Sequence, residues 1–273
     1  MRTTIYTLMI GLFLFSCTTA EVEEPIKDTT ETKSAPEIVL ENVTKPVIFD
    51  YTSTGCPGCG SWGAPVFDMF SAEFKSSIVP IAVHIKYGDP MITPESEAIG
   101  DNRTGSKYTP QIWVDSKNSM ILSGTSIDGS GTVSNIRNQL NDRIKTEPSI
   151  ALGVSHLVDS DKLLVRFKSQ SLIDLVGDYY YSVLILENDL VHQQNSAAYN
   201  PFLHHHVIRT SSNGAFGTQL ESQHQMKDMV FEKELSFDIN PKWNTDKLYV
   251  VGLIWKKIGE NYTLVNSNDS FIR

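Results

Sequence analysis

A short apolar run that empties into a cysteine pair limits the fold of this chain more than any other feature. Residues 46–51 read Pro-Val-Ile-Phe-Asp-Tyr, Thr-Ser-Thr-Gly follows as a turn, and Cys56-Pro57-Gly58-Cys59 comes next. A run of this length bounded by turn residues reads as a buried strand. A helix should begin at the cysteines, because Phe67, Phe70 and Phe74 recur at helical spacing, and Pro65 inside that stripe predicts a kink. Two cysteines in the first turn of a helix suit thiol–disulfide exchange, where an exposed thiolate attacks and its neighbour resolves the mixed disulfide. Cys56 would attack, its thiolate favoured by unpaired N–H groups and the positive end of the helix dipole, and Cys59, one turn further in, would act second. The same spacing serves zinc sites and inert disulfides. Zinc needs two further ligands, and the chain has no second cysteine pair, while His204, His205 and His206 stand far along the sequence; neither a metal nor another cofactor is expected.

The N-terminus bears on the cysteine count. Arg2 precedes an apolar run over residues 8–15 that is too short to span a bilayer and is laid out like an export signal. Its end, Leu14-Phe15-Ser16-Cys17, resembles the lipobox of bacterial lipoproteins, in which the cysteine thiol is acylated and the chain is cleaved just before the cysteine. That resemblance implies loss of residues 1–16 and a stable lipid anchor at Cys17. An ordinary signal with an incidental cysteine is the alternative. With Cys17 lipidated, only Cys56 and Cys59 of the three cysteines remain to pair, in a compartment that permits disulfides. Residues 17–36, rich in Thr and Glu and free of aromatic residues, read as a flexible tether.

With 273 residues, 40% of them hydrophobic, the chain can build two cores. A net charge of -9 without any basic stripe argues against a nucleic-acid partner. Residues 77–86 predict a second strand, 94–100 a short helix, and 111–114 with 120–123 a hairpin about a turn at 115–119. Val133, Ile136, Leu140 and Ile144 form the stripe of a last helix, capped by Ser130 or Thr132. Beyond residue 148 the period changes to two: Leu163, Val165 and Phe167 alternate with Leu164, Arg166 and Lys168, Phe231, Leu235, Phe237 and Ile239 alternate in the same way, and residues 179–186 and 248–255 are further apolar runs. The expectation is an antiparallel, immunoglobulin-like β-sandwich over 148–273, after a first domain over 37–147. Trp113, Trp243 and Trp255 are expected in the core, and His204 and His206 on one strand face, in a structural role.

The order strand, helix, strand, hairpin, helix with cysteines after the first strand resembles thioredoxin, an α/β fold. On that resemblance Asp50, six residues before Cys56, would be the buried carboxylate that assists proton transfer at Cys59. Pro110 would be the cis-proline that packs on the disulfide, and Thr109, Pro57 and Gly58 would complete the groove for an extended polypeptide. Gly55 stands where the family has Trp, the central dipeptide is reversed, and Pro65 lies one residue late; only His84 and Lys86 stand near the place of the family's buried lysine. The whole layout is similar to the Omp-type thioredoxin-like outer-membrane lipoproteins, most visibly in residues 51–63 and in the His-rich segment 199–209. This implies a membrane-anchored thiol–disulfide oxidoreductase acting on envelope protein thiols, coupled to a membrane electron donor or acceptor, with the direction of electron flow open. The alternative is an outer-membrane binding or adhesion module whose disulfide is structural.

Overall fold

The computed structural model describes residues 33–86 and 88–271. The export signal, Cys17 and residues 17–32 of the tether lie outside the described residues. From Lys33 onward the chain forms one compact unit, mostly β with a mixed sheet and few helices.

Strand β1 (Val47–Thr52) is buried along its whole length and alternates strictly. Val47, Phe49 and Tyr51 join one core cluster, and Ile48 joins another on the opposite face. A five-residue π-helical turn, Cys59–Gly63, leads into helix α1 (Ala64–Phe74). The kink expected at Pro65 takes this form because proline has no N–H to give the carbonyl one turn back; the turn widens, and the Ala64 N–H reaches Cys59 O. Strand β2 (Val79–His84) pairs with β1 in parallel, and α2 (Pro94–Asp101) starts from a Thr93–Ser96 capping box.

Strand β3 (Gln111–Val114) lies antiparallel to β1. Its hairpin partner is β4 (Lys117–Asn118) rather than residues 120–123, because Met120 turns its sulfur toward the Ile112 N–H. Leu122–Ser123 (β5) pairs instead with Ser126–Ile127 (β6). Helix α3 (Gly129–Ile144) is capped by Asp128, which accepts from the Gly131 N–H, and not by Ser130 or Thr132. Thr132 is buried, its hydroxyl taking the Ile121 N–H.

The remaining strands are β7 (Ile150–Asp159), β8 (Lys162–Ser171), β9 (Asp178–Glu187), β10 (Leu190–His192), β11 (Phe202–His204), β12 (Val207–Ser211), β13 (Thr218–Gln219), β14 (Val230–Asp238), β15 (Leu248–Ile258) and β16 (Asn261–Asp269). They do not sit apart from the first half. The main sheet runs β16-β15-β9-β12-β2-β1-β3-β4, so β12 satisfies the outer edge of β2, with Val207 beside Ala82 and the Ala82 N–H donating to His206 O at 2.9 Å. Phe49 of β1 stacks with Trp255 of β15 within one core. The expected boundary at 145–148 therefore falls at the end of α3, with a single sheet continuing past it.

Sandwich packing appears where the three-stranded sheet β14-β8-β7 stacks on β9 and β15, burying Leu163, Val165, Phe167, Val183, Val250 and Ile254. Gly252 marks the closest approach, since a Cβ there would fall 2.6 Å from Val154 Cγ1. Trp113 and Trp255 are buried in the core shared with β1, and Trp243 is half-buried against the core between the stacked sheets.

Candidate functional site

The turn that leaves β1 brings Cys56 and Cys59 together as a disulfide, with Cα atoms 5.3 Å apart. Cys56 N–H donates to Ser53 O at 3.1 Å, and Cys59 N–H donates to Cys56 O at 3.2 Å, which begins the helix. Cys59 is the more buried of the two, as its place one turn in implies, and Cys56 is also only 4% exposed.

Pro110 follows a cis Thr109–Pro110 bond and packs against the helix start from below. A Cβ at Gly58 would lie 3.1 Å from Pro110 Cδ, a tight contact, and one at Gly63 would lie 2.8 Å from Pro110 Cβ, so the approach needs glycine at 63. Asp50 lies on the β1 face that also carries Ile48, and its Oδ1 is 3.8 Å from the Cβ position of Gly63. That oxygen is buried with no hydrogen-bond partner. Burial first, and then the charge of Asp68, push the Asp50 carboxyl up to about 8 against a smaller lowering by Thr52. The charged neighbour acting on Asp50 is thus an acid and not a lysine. Lys86, exposed beyond β2, gives its ammonium to Lys107 O, and His84 is committed elsewhere.

The turn that carries the cysteines is bonded by a segment from the second half of the chain. Gln194, in the loop joining β10 to β11, donates its side-chain N–H to Ser53 O (3.1 Å) and Cys56 O (3.2 Å). Asn195 donates its backbone N–H to Thr54 O (2.8 Å) and its side-chain N–H to Gly55 O (3.3 Å). Four successive carbonyls of the turn are therefore occupied by one loop. Nothing in the residue types of 193–201 pointed to this role. A signal did exist in Gly60, a helix-start glycine whose Cβ position lies 2.1 Å from Asn195 O and 2.8 Å from Ala197 N.

A buried pair also missed in sequence supports the same turn. His84 Nδ1 lies 2.8 Å from Asp89 Oδ2, and Asp89 accepts from the N–H groups of Thr54 and Met91. Burial alone would raise the Asp89 carboxyl, but His84 and those two N–H groups hold it below its ordinary range. His204, at the end of β11, packs edge-on against His84 with ring centroids 5.3 Å apart. His206 does not share a strand face with His204, because it lies beyond β11 in the left-handed region (φ 58°), with Nδ1 2.8 Å from the Tyr249 hydroxyl. Among the described residues no three His, Cys, Asp or Glu side chains are placed to hold a metal ion.

Among solved structures, the chain is similar to HBP35 of Porphyromonas gingivalis, with a TM-score of 0.64 at 16% identity over 84% of this chain and 75% of that one. The two share a fold. A domain of the outer membrane lipoprotein Omp28 from Porphyromonas gingivalis overlays at a TM-score of 0.32 and 13% identity, covering 46% of this chain and 89% of that one. A DUF3823 family protein from Bacteroides ovatus overlays at 0.28 and 9%, covering 60% and 77%. No family model and no curated protein matches the chain.

His204 makes the site pH-sensitive. Burial, followed by the nearby imidazoles of His84 and His192 and set against the opposing charge of Asp89, lowers its pKa to about 3. The folded protein then refuses a proton that the unfolded chain accepts below its ordinary value near 6.5. This stability is complete above that value and is lost as the pH falls toward 3, by up to about 1.4 kcal/mol per pH unit. Asp50 has the opposite sign, so the slope is isolated by comparing urea unfolding of wild type and His204→Gln across pH 6.5 to 4.5. Parallel curves for the two proteins would show that His204 is not the titrating group.

Proposed function

We propose that the chain is a lipid-anchored protein of the cell envelope, at the outer membrane, that works as a binding module with Cys56–Cys59 as a structural clamp. The observation that carries the clamp is the burial of both cysteines in a turn whose carbonyls are held by Gln194 and Asn195, since an exchanging disulfide needs an attacking sulfur within reach of its partner. The lipobox-like Leu14-Phe15-Ser16-Cys17 supports the anchor. A cavity of about 580 Å3 lined by His156, His205, Lys247, Tyr249 and Phe271 supports binding. On this reading Cys56→Ser/Cys59→Ser loses about 2 kcal/mol of stability, the loop-closure value for so short a loop. Cys59→Ser alone then traps no envelope protein as a mixed disulfide, which non-reducing electrophoresis of cells carrying the variant checks. Trapped adducts through Cys56 would overturn the clamp.

A second reading, a thiol–disulfide oxidoreductase acting on envelope protein thiols, is favoured by the buried Asp50 and by Pro110 packed beneath the helix start. A partner thiolate would attack Cys56, or Cys56 a partner disulfide. Cys59 would resolve the mixed disulfide, and Asp50 would move the proton of Cys59. Thr109, Pro57 and Gly58 would border the groove, and a membrane donor or acceptor would restore the pair. The element order through α3 supports a thioredoxin-like label for residues 37–147, and the stacked sheets support an immunoglobulin-like sandwich for 148–273.

A further inference from the structure

The β10–β11 hairpin stands apart from every other sheet. Its two strands pair only with each other, in the register Leu190 to His204, Val191 to Leu203 and His192 to Phe202. Phe202 and His204 are seated inward on one face, with His204 resting on His84. The other face is open: Val191 and Leu203 are 65% and 40% exposed. The chain enters and leaves the hairpin beside Asp189 (φ 60°) and His206 (φ 58°), both in the left-handed region. Asn200 braces the loop internally, accepting from the Gln194 N–H at 2.8 Å and donating to Gln194 O at 3.0 Å. The loop is therefore a preformed unit, and its attachment at the cysteine turn consists of the bonds from Gln194 and Asn195.

We propose that the hairpin Leu190–His204 is a lid on the Cys56–Cys59 disulfide, and that reductants reach the sulfurs only from a locally open state in which the lid has lifted. The inference holds whether the disulfide is a clamp or an exchanger, because it concerns access alone. In the open state the carbonyls of residues 53–56 lose the lid's donors, and Cys56, otherwise buried, can be attacked at its sulfur. A dithiol reductant then supplies two electrons and two protons: its first thiolate breaks the Cys56–Cys59 bond to form a mixed disulfide, its second thiol displaces the remaining cysteine, and it leaves as a disulfide.

The test is the rate at which dithiothreitol reduces the disulfide in the full chain, read by alkylation of quenched samples. Gln194→Ala removes two of the lid's donors while touching neither sulfur, and is expected to speed reduction at least tenfold. An unchanged rate overturns the lid. Should that variant fail to fold, wild type decides through the dependence of its rate on urea below the unfolding transition. Opening of one hairpin exposes little surface and gives a shallow dependence, whereas access by global unfolding gives the full equilibrium slope. A full slope overturns the proposal, as does a wild-type rate equal to that of the disulfide in the urea-unfolded chain.

Discussion

Replacing Asp50 by Asn should make the protein more stable, and increasingly so as the pH rises. The carboxyl titrates near 8 in the folded chain and near 3.8 when exposed, so the folded state holds a proton that the unfolded state has already released. Stability from this group is complete below the unfolded value and is lost as the pH rises toward the folded one. At neutral pH the loss is about 4 kcal/mol, from about 1.4 kcal/mol for each unit of difference. Asn keeps the shape and never ionises. Its amide must sit where Oδ1 already lacks a partner, which offsets the gain by about 1 kcal/mol. A net gain of about 3 kcal/mol is expected at neutral pH, shrinking toward zero near pH 4. Urea unfolding of both proteins across that range checks it, and a gain that does not change with pH would remove Asp50 as the titrating group. So costly a carboxylate is what favours a proton-handling role: if the second reading holds, Asp50→Asn slows release of Cys59 while the fold is firmer.

The parts of the molecule that were legible from sequence are those decided by neighbours in the chain. The apolar run Val47 to Tyr51 let the strand be read directly, while the burial of Asp50 rested on the resemblance to thioredoxin. The helical stripe through Phe67 and Phe70, and the alternation around Val165 and Phe167, were legible for the same reason. Contacts between distant segments were not. Val207 beside Ala82 joins the two halves into one sheet, and a single residue pair leaves no periodic trace. His84 meets Asp89 across a loop, where spacing carries no fixed geometry. The lid is the clearest case: Gln194 and Asn195 sit in a polar, turn-rich stretch that satisfies every rule for a solvated loop, yet Gln194 is only 2% exposed. One local conflict was Gly60, placed where helix formation disfavours glycine.

That conflict supplies a substitution whose sign separates a closed lid from a solvated loop. In an open helix, Gly60→Ala would stabilise by about 1 kcal/mol, the difference in helix propensity. Here the new methyl would stand 2.1 Å from Asn195 O, 2.8 Å from Ala197 N and 2.9 Å from Gln194 Cγ. Two of those atoms are backbone, so no rotamer change relieves the clash. Either the π-helical turn shifts off Pro110, which already touches the Cβ positions of Gly58 and Gly63, or the lid moves outward. The lid is held by one face and the helix by a close-packed core, so the lid should yield. Its hydrogen bonds to the cysteine turn are worth about 1 kcal/mol each, and losing most of them outweighs the propensity gain. Gly60→Ala is therefore expected to cost about 2 kcal/mol in urea unfolding and to expose Cys56 to reductant. A variant more stable than wild type would mean that Asn195 does not rest on the helix start, and that the cysteine pair stands open.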